Sequence, residues 1–296
     1  MSVATSLSEA RSRRAGAEIV ALRRPAVAGE AVLGVRAADG VTRLAELYQR
    51  DPLSLRLPQP EPGDILEASL ITTSGGIVGG DRLTVTVTAG PDARLRVYPQ
   101  AAEKVYRSLG PDSGIGVTLK AEAGAWLEWL PQETILFEGA RLRRDTRVEA
   151  AVGARVLAGE FLVFGRRASG ESLTQGLVHD AWRLIRDGRL AWADALHIEG
   201  DLAAPLASAA CFDGTGAYAS LVYAADDAPA QLGVLRGLLP PESDDLRHAL
   251  TAVNGVVVGR FLGDALAVRR SYGAFWAAAR HALAGLPPRL PRLWYL

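Results

Sequence analysis

From about residue 64 to residue 200, apolar residues recur at every second position. In Arg82–Thr88, Leu83, Val85 and Val87 alternate with three threonines, and Ile115, Val117 and Leu119 alternate with Gly116, Thr118 and Lys120. This is the pattern of a strand with one buried and one wet face. Turn residues punctuate the runs: Gly90-Pro91-Asp92, Gly110-Pro111-Asp112, Gly124, Gly139 and Gly153. The last four glycines lie 14, 15 and 14 residues apart, which suits successive strand–turn units wound into layers. Arg186-Asp187-Gly188-Arg189 separates strand-like runs around Trp182 and Trp192, and Asp-Gly there predicts a type I′ hairpin.

The texture changes after about residue 200. Ala228–Leu238 and Ser271–Ala284 carry helical spacing, the second offering Phe275, Ala278, Ala279 and Ala282 for one face. Gly255–Gly263 reads as a buried strand between them. The tail from Leu286 cannot be helical through Pro287, Pro288 and Pro291. The expected fold is mainly β and layered, with two helices in the C-terminal part. Residues 1–16 read as a frayed tail and 17–296 as one elongated domain.

Composition narrows the function. The 296 residues are 49% hydrophobic, enough for a large core, with zero formal net charge and a pI near 6.9. A neutral chain lacks the basic surplus that phosphate binding needs, so nucleic acid is not an expected partner. Cys211, the single cysteine, has no intrachain partner, and no apolar run of membrane-spanning length exists. With no secretory leader in view, a cytoplasmic protein is expected.

No local motif of catalysis is present. There is no G-x-S-x-G, and His179, His197, His248 and His281 are scattered without metal-ligand spacing. Gly75, Gly76, Gly79 and Gly80, followed by Asp81, are the most unusual cluster. No Gly-Lys-Ser/Thr follows, and strand residues stand where a phosphate-binding helix would start. The cluster reads as a bulge or tight turn, with Asp81 capping it or facing a polar cavity. Glu128, Glu133 and Glu138 flank the apolar stretch Trp126–Phe137; Glu160 lies within Val156–Phe164 and Asp194 within Leu190–Ile198. An acid in such a run, if buried, has to be paired, hydrated or metal-bound. Paired acids such as Glu128 and Glu133 also admit a glycosidase-like hydrolase.

Five stretches together resemble the urease accessory protein family UreD (UreH). They are Gly75–Leu83 (GGIVGGDRL), Lys104–Ser108 (KVYRS), Leu127–Phe137 (LEWLPQETILF), Gly165-Arg166 with Gly170-Glu171, and Pro291-Arg292-Leu293-Trp294. Within them Lys104, Tyr106, Arg107, Glu128, Trp129, Pro131, Gly165, Arg166 and Glu171 carry the likeness. Thr73-Ser74, Tyr98–Glu103 and the aspartate at 194 depart from the family's usual residues. The resemblance implies a right-handed superhelical β fold and a role without turnover. It implies that the chain binds UreF, which recruits the GTPase UreG, and docks on the urease apoprotein. Ni²⁺ would pass transiently through an internal acidic tunnel, with no permanently bound cofactor. Carried over residue by residue, the resemblance makes Asp81, Glu160 and Asp194 the tunnel acids. Separated carboxylates suit loose, reversible binding of such an ion. A pure assembly adaptor that conducts no metal shares every motif. Trp276, Arg292 and Trp294 are the expected partner-facing residues, although the aromatic tail Trp294-Tyr295 equally suits docking of the terminus on the core.

Overall fold

A computed structural model describes residues 25–295. The expected tail at 1–16 and the domain boundary at 17 lie outside the described residues. The chain forms β1 (Ala28–Ala38), β2 (Val41–Arg50), β3 (Leu53–Arg56), β4 (Leu66–Thr72), β5 (Arg82–Ala89) and β6 (Arg94–Pro99). Next come β7 (Glu103–Val105), β8 (Ser113–Ala121), β9 (Trp126–Trp129), β10 (Glu133–Leu136), β11 (Arg141–Ala150) and β12 (Arg155–Phe164). The hairpin strands β13 (Gln175–Arg186) and β14 (Arg189–Asp201) follow. The last part holds α1 (Ala203–Ala207), β15 (Ala217–Ala224), α2 (Ala228–Gly237), β16 (Leu246–Val253), β17 (Val256–Gly263) and α3 (Ala265–Ala284).

These strands build a β-solenoid of about four turns. Sheet A has the order β14-β13-β11-β8-β5-β1-β2, and sheet B runs β16-β17-β15-β12-β9-β6-β4-β3. The winding strands pair in parallel with their copies in the next coil, so Arg82, Gly114, Arg143 and His179 share one rung of sheet A. One coil therefore spans two of the intervals of 14 or 15 residues, a strand in each sheet. The turns stack as well. A Cβ on Gly124 would lie 2.0 Å from Asp92 Oδ1, and one on Gly153 would lie 3.6 Å from the Gly124 nitrogen, so neither a side chain nor a negative φ fits at Gly124.

Burial follows the layers. Alternate residues of sheet A, such as Leu83, Val85, Val117 and Leu119, pack against Leu95, Leu127 and Val156 of sheet B. The other face of sheet B carries a second core with α3, formed by Trp126, Phe161, Tyr223, Phe261, Tyr272, Phe275 and Trp276. Covered on both faces, β12 reads as a continuous apolar run, whereas β5, wet on one side, alternates. Asp187 and Gly188 both have positive φ in the β13–β14 turn, as the hairpin prediction requires. The helix expected from Ser271 starts six residues earlier, where the Asp264 carboxylate accepts from the Leu266 and Ala267 amides. Its buried stripe is Val268, Tyr272, Phe275, Trp276, Ala279 and Leu283; Ala282 falls one position off it and is exposed. The five-residue α1 was not among the expected helices.

A buried ionic network ties the C-terminal end to sheet B. Glu128, on the helix-facing side of β9, accepts from Arg280 Nε at 3.1 and 3.2 Å, from Trp126 Nε1 at 2.8 Å and from Trp276 Nε1 at 3.1 Å. Arg280 also pairs with Asp64 at 2.6 Å, and Arg96 joins Asp64 to Glu67. Burial opposes ionisation of Asp64, but Arg280 and Arg96 hold its carboxyl below the usual range. Glu128→Ala would leave Arg280 paired with Asp64 but deprive its Nε and the Trp126 and Trp276 Nε1 donors of their acceptor. It is expected to cost about 2 kcal/mol or more, measured as a lowered urea midpoint.

Candidate functional site

The inner faces of the two sheets do not close completely. A cavity of about 200 Å³ lies between Val85 and Val117 of sheet A and Leu70 and Trp129 of sheet B. Gly75, Gly76, Glu103 and Lys104 line it at the loop side, with Pro131 and Gln132; Arg144 and Glu160 line it within the sheets. Six of the residues singled out from sequence, Gly75, Gly76, Lys104, Trp129, Pro131 and Glu160, thus reach one void.

Arg144 and Glu160 belong to a charge cluster bridging the sheets. Arg144, from β11, donates to both oxygens of Asp180 on β13, each at 3.0 Å, and to Thr134 Oγ1 at 3.0 Å. Across the gap its Nη1 lies 2.6 Å from Glu160 Oε2, and Trp129 Nε1 donates to the other oxygen at 3.3 Å. Two carboxylates therefore share one buried guanidinium. Burial pushes the Glu160 carboxyl up to about 7; Arg144 pulls against that rise and Asp180 adds to it. Glu103 accepts from Thr72 Oγ1 at 2.6 Å and from its neighbour's amide at 3.2 Å, and burial raises its pKa.

Asp81 is buried, but among the described residues it does not line this cavity. Its carboxylate accepts from the Val27 amide at 2.9 Å and the Val78 amide at 3.0 Å, so it fixes the glycine turn to the start of β1. Asp194 also lies apart from the void, a third exposed and ion-paired with Arg260 of β17. Of the three expected tunnel acids, Glu160 alone lines the cavity. Glu103 and Asp180 were not singled out. Asp180 faces inward on β13, where it alternates with Val178 and Trp182, a parity that was available from sequence.

The loop motifs pack on one another. Ile77 donates to the Lys104 carbonyl at 2.8 Å, and Tyr106 donates to the Ile77 carbonyl at 2.9 Å. A Cβ on Gly76 would meet the Lys104 carbonyl at 2.7 Å, and one on Gly79 would meet Ser108 Oγ at 2.1 Å. The next coil continues the strip. Phe137 sits edge-on to Tyr106 at 4.8 Å, the Arg166 guanidinium lies 4.3 Å over Phe137, and Arg166 pairs with Glu171. A Cβ on Gly165 would press on the Glu171 carbonyl at 2.8 Å, and a side chain on Gly139 would strike Arg107. Stretches far apart in sequence thus form one contiguous end of the solenoid.

The expected partner-facing aromatics are core residues. Trp276 is fully buried under Glu128, and Trp294 packs on Gly273 and beneath Arg269, whose guanidinium is 4.8 Å from its ring. For Trp294 the second reading, docking of the terminus on the core, is what the geometry shows, whereas Tyr295 is exposed; Arg292 is exposed and paired with Glu61. The acids proposed for hydrolysis are committed as well, Glu128 to Arg280 and Glu133 to Arg269. Neither lines the cavity.

The family model described as UreD urease accessory protein matches residues 27–295. The chain belongs to the UreD family. It is 48% identical to the urease accessory protein UreD of Magnetococcus marinus over 259 residues, covering 86% of this chain and 89% of that protein. Identity to the UreD of Xanthobacter autotrophicus is 43%, over 90% of this chain and 89% of the relative. With the UreD of a Methylobacterium species it is 43%, over 92% and 96%. UreD proteins are accessory proteins of urease maturation and not a catalytic family. No helix among the described residues is long and apolar enough to cross a membrane.

Two measurements probe the acids. Asp81→Ala leaves two amides without their acceptor and should lower stability by about 2 kcal/mol or more, read from urea unfolding. For Glu160 the folded state holds a proton that the unfolded chain releases at lower pH. Stability should therefore fall as pH rises from about 4.5 to about 7, by up to about 3 kcal/mol from this group. Glu160→Gln should flatten that decline in unfolding curves collected across the window.

Proposed function

We propose that the chain is a non-catalytic scaffold of urease maturation that binds UreF, is joined through UreF by the GTPase UreG, and docks on the urease apoprotein. Ni²⁺ is its cargo, held transiently in the cavity between the sheets by Glu103 at the loop side and by Glu160 with Asp180 within. The observation that carries this reading is the shared guanidinium: two carboxylates facing Arg144 leave one negative charge in excess, buried beside an internal void. A single divalent ion can replace the proton of Glu160 there, while Arg144 repels the ion enough to prevent trapping. Oxygen donors without thiolate or a closed imidazole set give the loose coordination a conduit needs. Asp194, beside Arg260, is a further stop on the same path, and Asp81 holds the glycine turn that shapes the loop side. Arg292 is the proposed UreF contact of the C-terminal segment. A cytoplasmic setting belongs to the proposal, supported by a lone, exposed Cys211.

The adaptor reading differs in one respect: charge along the void is then irrelevant. Urease is co-expressed with UreF, UreG and this chain at limiting nickel. Glu103→Gln and Glu160→Gln should co-purify with UreF and apo-urease like the native chain, yet yield several-fold less urease activity, restored by excess nickel. Full activity from both variants at limiting nickel would establish the adaptor instead. Equal activity without the chain would remove the maturation role itself.

A further inference from the structure

The four histidines look dispersed in sequence, but the β13–β14 hairpin brings two together. His179 and His197 are cross-strand partners, their Nδ1 atoms 3.2 Å apart and their rings inclined at 72° with centroids 5.2 Å apart. A regular ladder from the Asp187-Gly188 turn would pair Arg186 with Arg189 and place His179 opposite Leu196. The bulge between Leu184 and Ile185 shifts the register by one residue and sets His179 directly across from His197.

We infer that His179 and His197 form a chelating site for a borderline divalent transition-metal ion, with Ni²⁺ as the ion to test first. Metal–imidazole bonds are about 2.0–2.1 Å long. Two such bonds spanning 3.2 Å enclose an angle of about 100° at the metal, within the range of tetrahedral and octahedral cis positions. With no ion bound, one Nδ1 donates its proton to the other. Binding needs only that both rings take the tautomer with the proton on Nε2, which frees both Nδ1 lone pairs. No third histidine, cysteine or carboxylate completes a ligand set among the described residues, so the remaining positions belong to water or to a donor from another molecule.

The surroundings tolerate a cation. Arg143, the rung neighbour of His179, is bonded to Asp112, and Arg141 is shared by Asp112 and Glu199. Arg183 pairs with Asp145 nearby. Each neighbouring guanidinium thus has its carboxylate. The pair also lies on the face of sheet A opposite the cavity, because His179 and Asp180 are consecutive in a strand and point to opposite sides. This site is independent of the passage and does not require it.

The test is calorimetric titration of the full chain with Ni²⁺ alone, near pH 7.5 and near pH 5, where imidazole protonation competes. His179→Ala and His197→Ala should each lose one bound equivalent, and that equivalent should weaken at least tenfold at the lower pH. His248→Ala and His281→Ala should retain it. Unchanged binding in both hairpin variants overturns the site, and loss in only one of them overturns the chelate. Circular dichroism of each variant confirms that the hairpin is folded.

Discussion

Arg144 is the pivot of the structure between the sheets. Its guanidinium is buried, donates in a bidentate manner to Asp180 within sheet A, and reaches across to Glu160 on sheet B. A solenoid of parallel coils fills its interior with side chains of matching size. Here Arg144 and Asp180 occupy the rung that Leu83 and Ile115 hold in neighbouring coils, and Glu160 lies opposite Ser220. Burying them costs several kcal/mol per ion before pairing, and an apolar triad of similar volume would be as stable or more so. The cluster is poorly explained as a stabilising device, because its surplus carboxylate is held only with a pKa near neutrality. Such expense beside a void is the pattern of a working site.

The second ionic network contrasts with this one. Asp64, Glu67 and Glu128 face Arg96 and Arg280 on the other side of sheet B, and there the tail adds backbone acceptors: the Pro287 carbonyl takes a bond from Arg280 at 2.5 Å, and the Arg289 carbonyl takes one from Arg96 at 3.1 Å. With Trp126 and Trp276 also bound to Glu128, every charge is anchored by neighbours from several elements. This network joins α3 and the C-terminal segment to the coils, which explains why Trp276 and Trp294 are interior residues. Similar residue types thus stand in two settings: on the outer side of sheet B they tie α3 and the tail to the coils, and between the sheets two carboxylates share one guanidinium beside the cavity.

Much of the fold was legible because its signals are local. The alternation in Arg82–Thr88, the spaced turn glycines and the Asp187-Gly188 hairpin each report backbone geometry directly, and the coils stack as that spacing suggests. What was missed depends on distance in space. Trp294 looked like an exposed anchor because nothing in its neighbours reveals that Gly273 leaves room for its ring. For Asp81 the sequence left capping and a polar cavity open, because an aspartate after glycines reads the same in both; the amides of Val27 and Val78 that it accepts from lie 54 and 3 residues away. The helix onset at Asp264 was readable as a cap, whereas the pairing of His179 with His197 required knowledge of a one-residue bulge that no residue type announces. Glu160 stood out as an acid inside the apolar run Val156–Phe164, a run that β12 owes to being covered on both faces, whereas Asp180 shares the inward parity of Val178 and Trp182 in a strand whose polar residues mask it.

Placement of the cavity at the loop end carries the last step. Gly76 and Gly79 allow the 104–108 segment to press directly on the glycine turn, where the Tyr106 ring, the Lys104 carbonyl and the Ser108 hydroxyl occupy the space a Cβ would need. Pro131 and Gln132 complete the wall from the next coil, and Gln132 donates to the Pro99 and Gln100 carbonyls at 3.1 and 3.2 Å, bracing the loop that carries Glu103. The motif residues therefore build a rigid rim around a void whose interior charge is one carboxylate in excess. A binding pocket evolved for retention would close its donors around the ion. This one places Glu103 at the loop side and Glu160 within the sheets, with the Arg144 guanidinium behind the second, so its donors do not converge on one point and a fixed cation opposes tight retention of any second one.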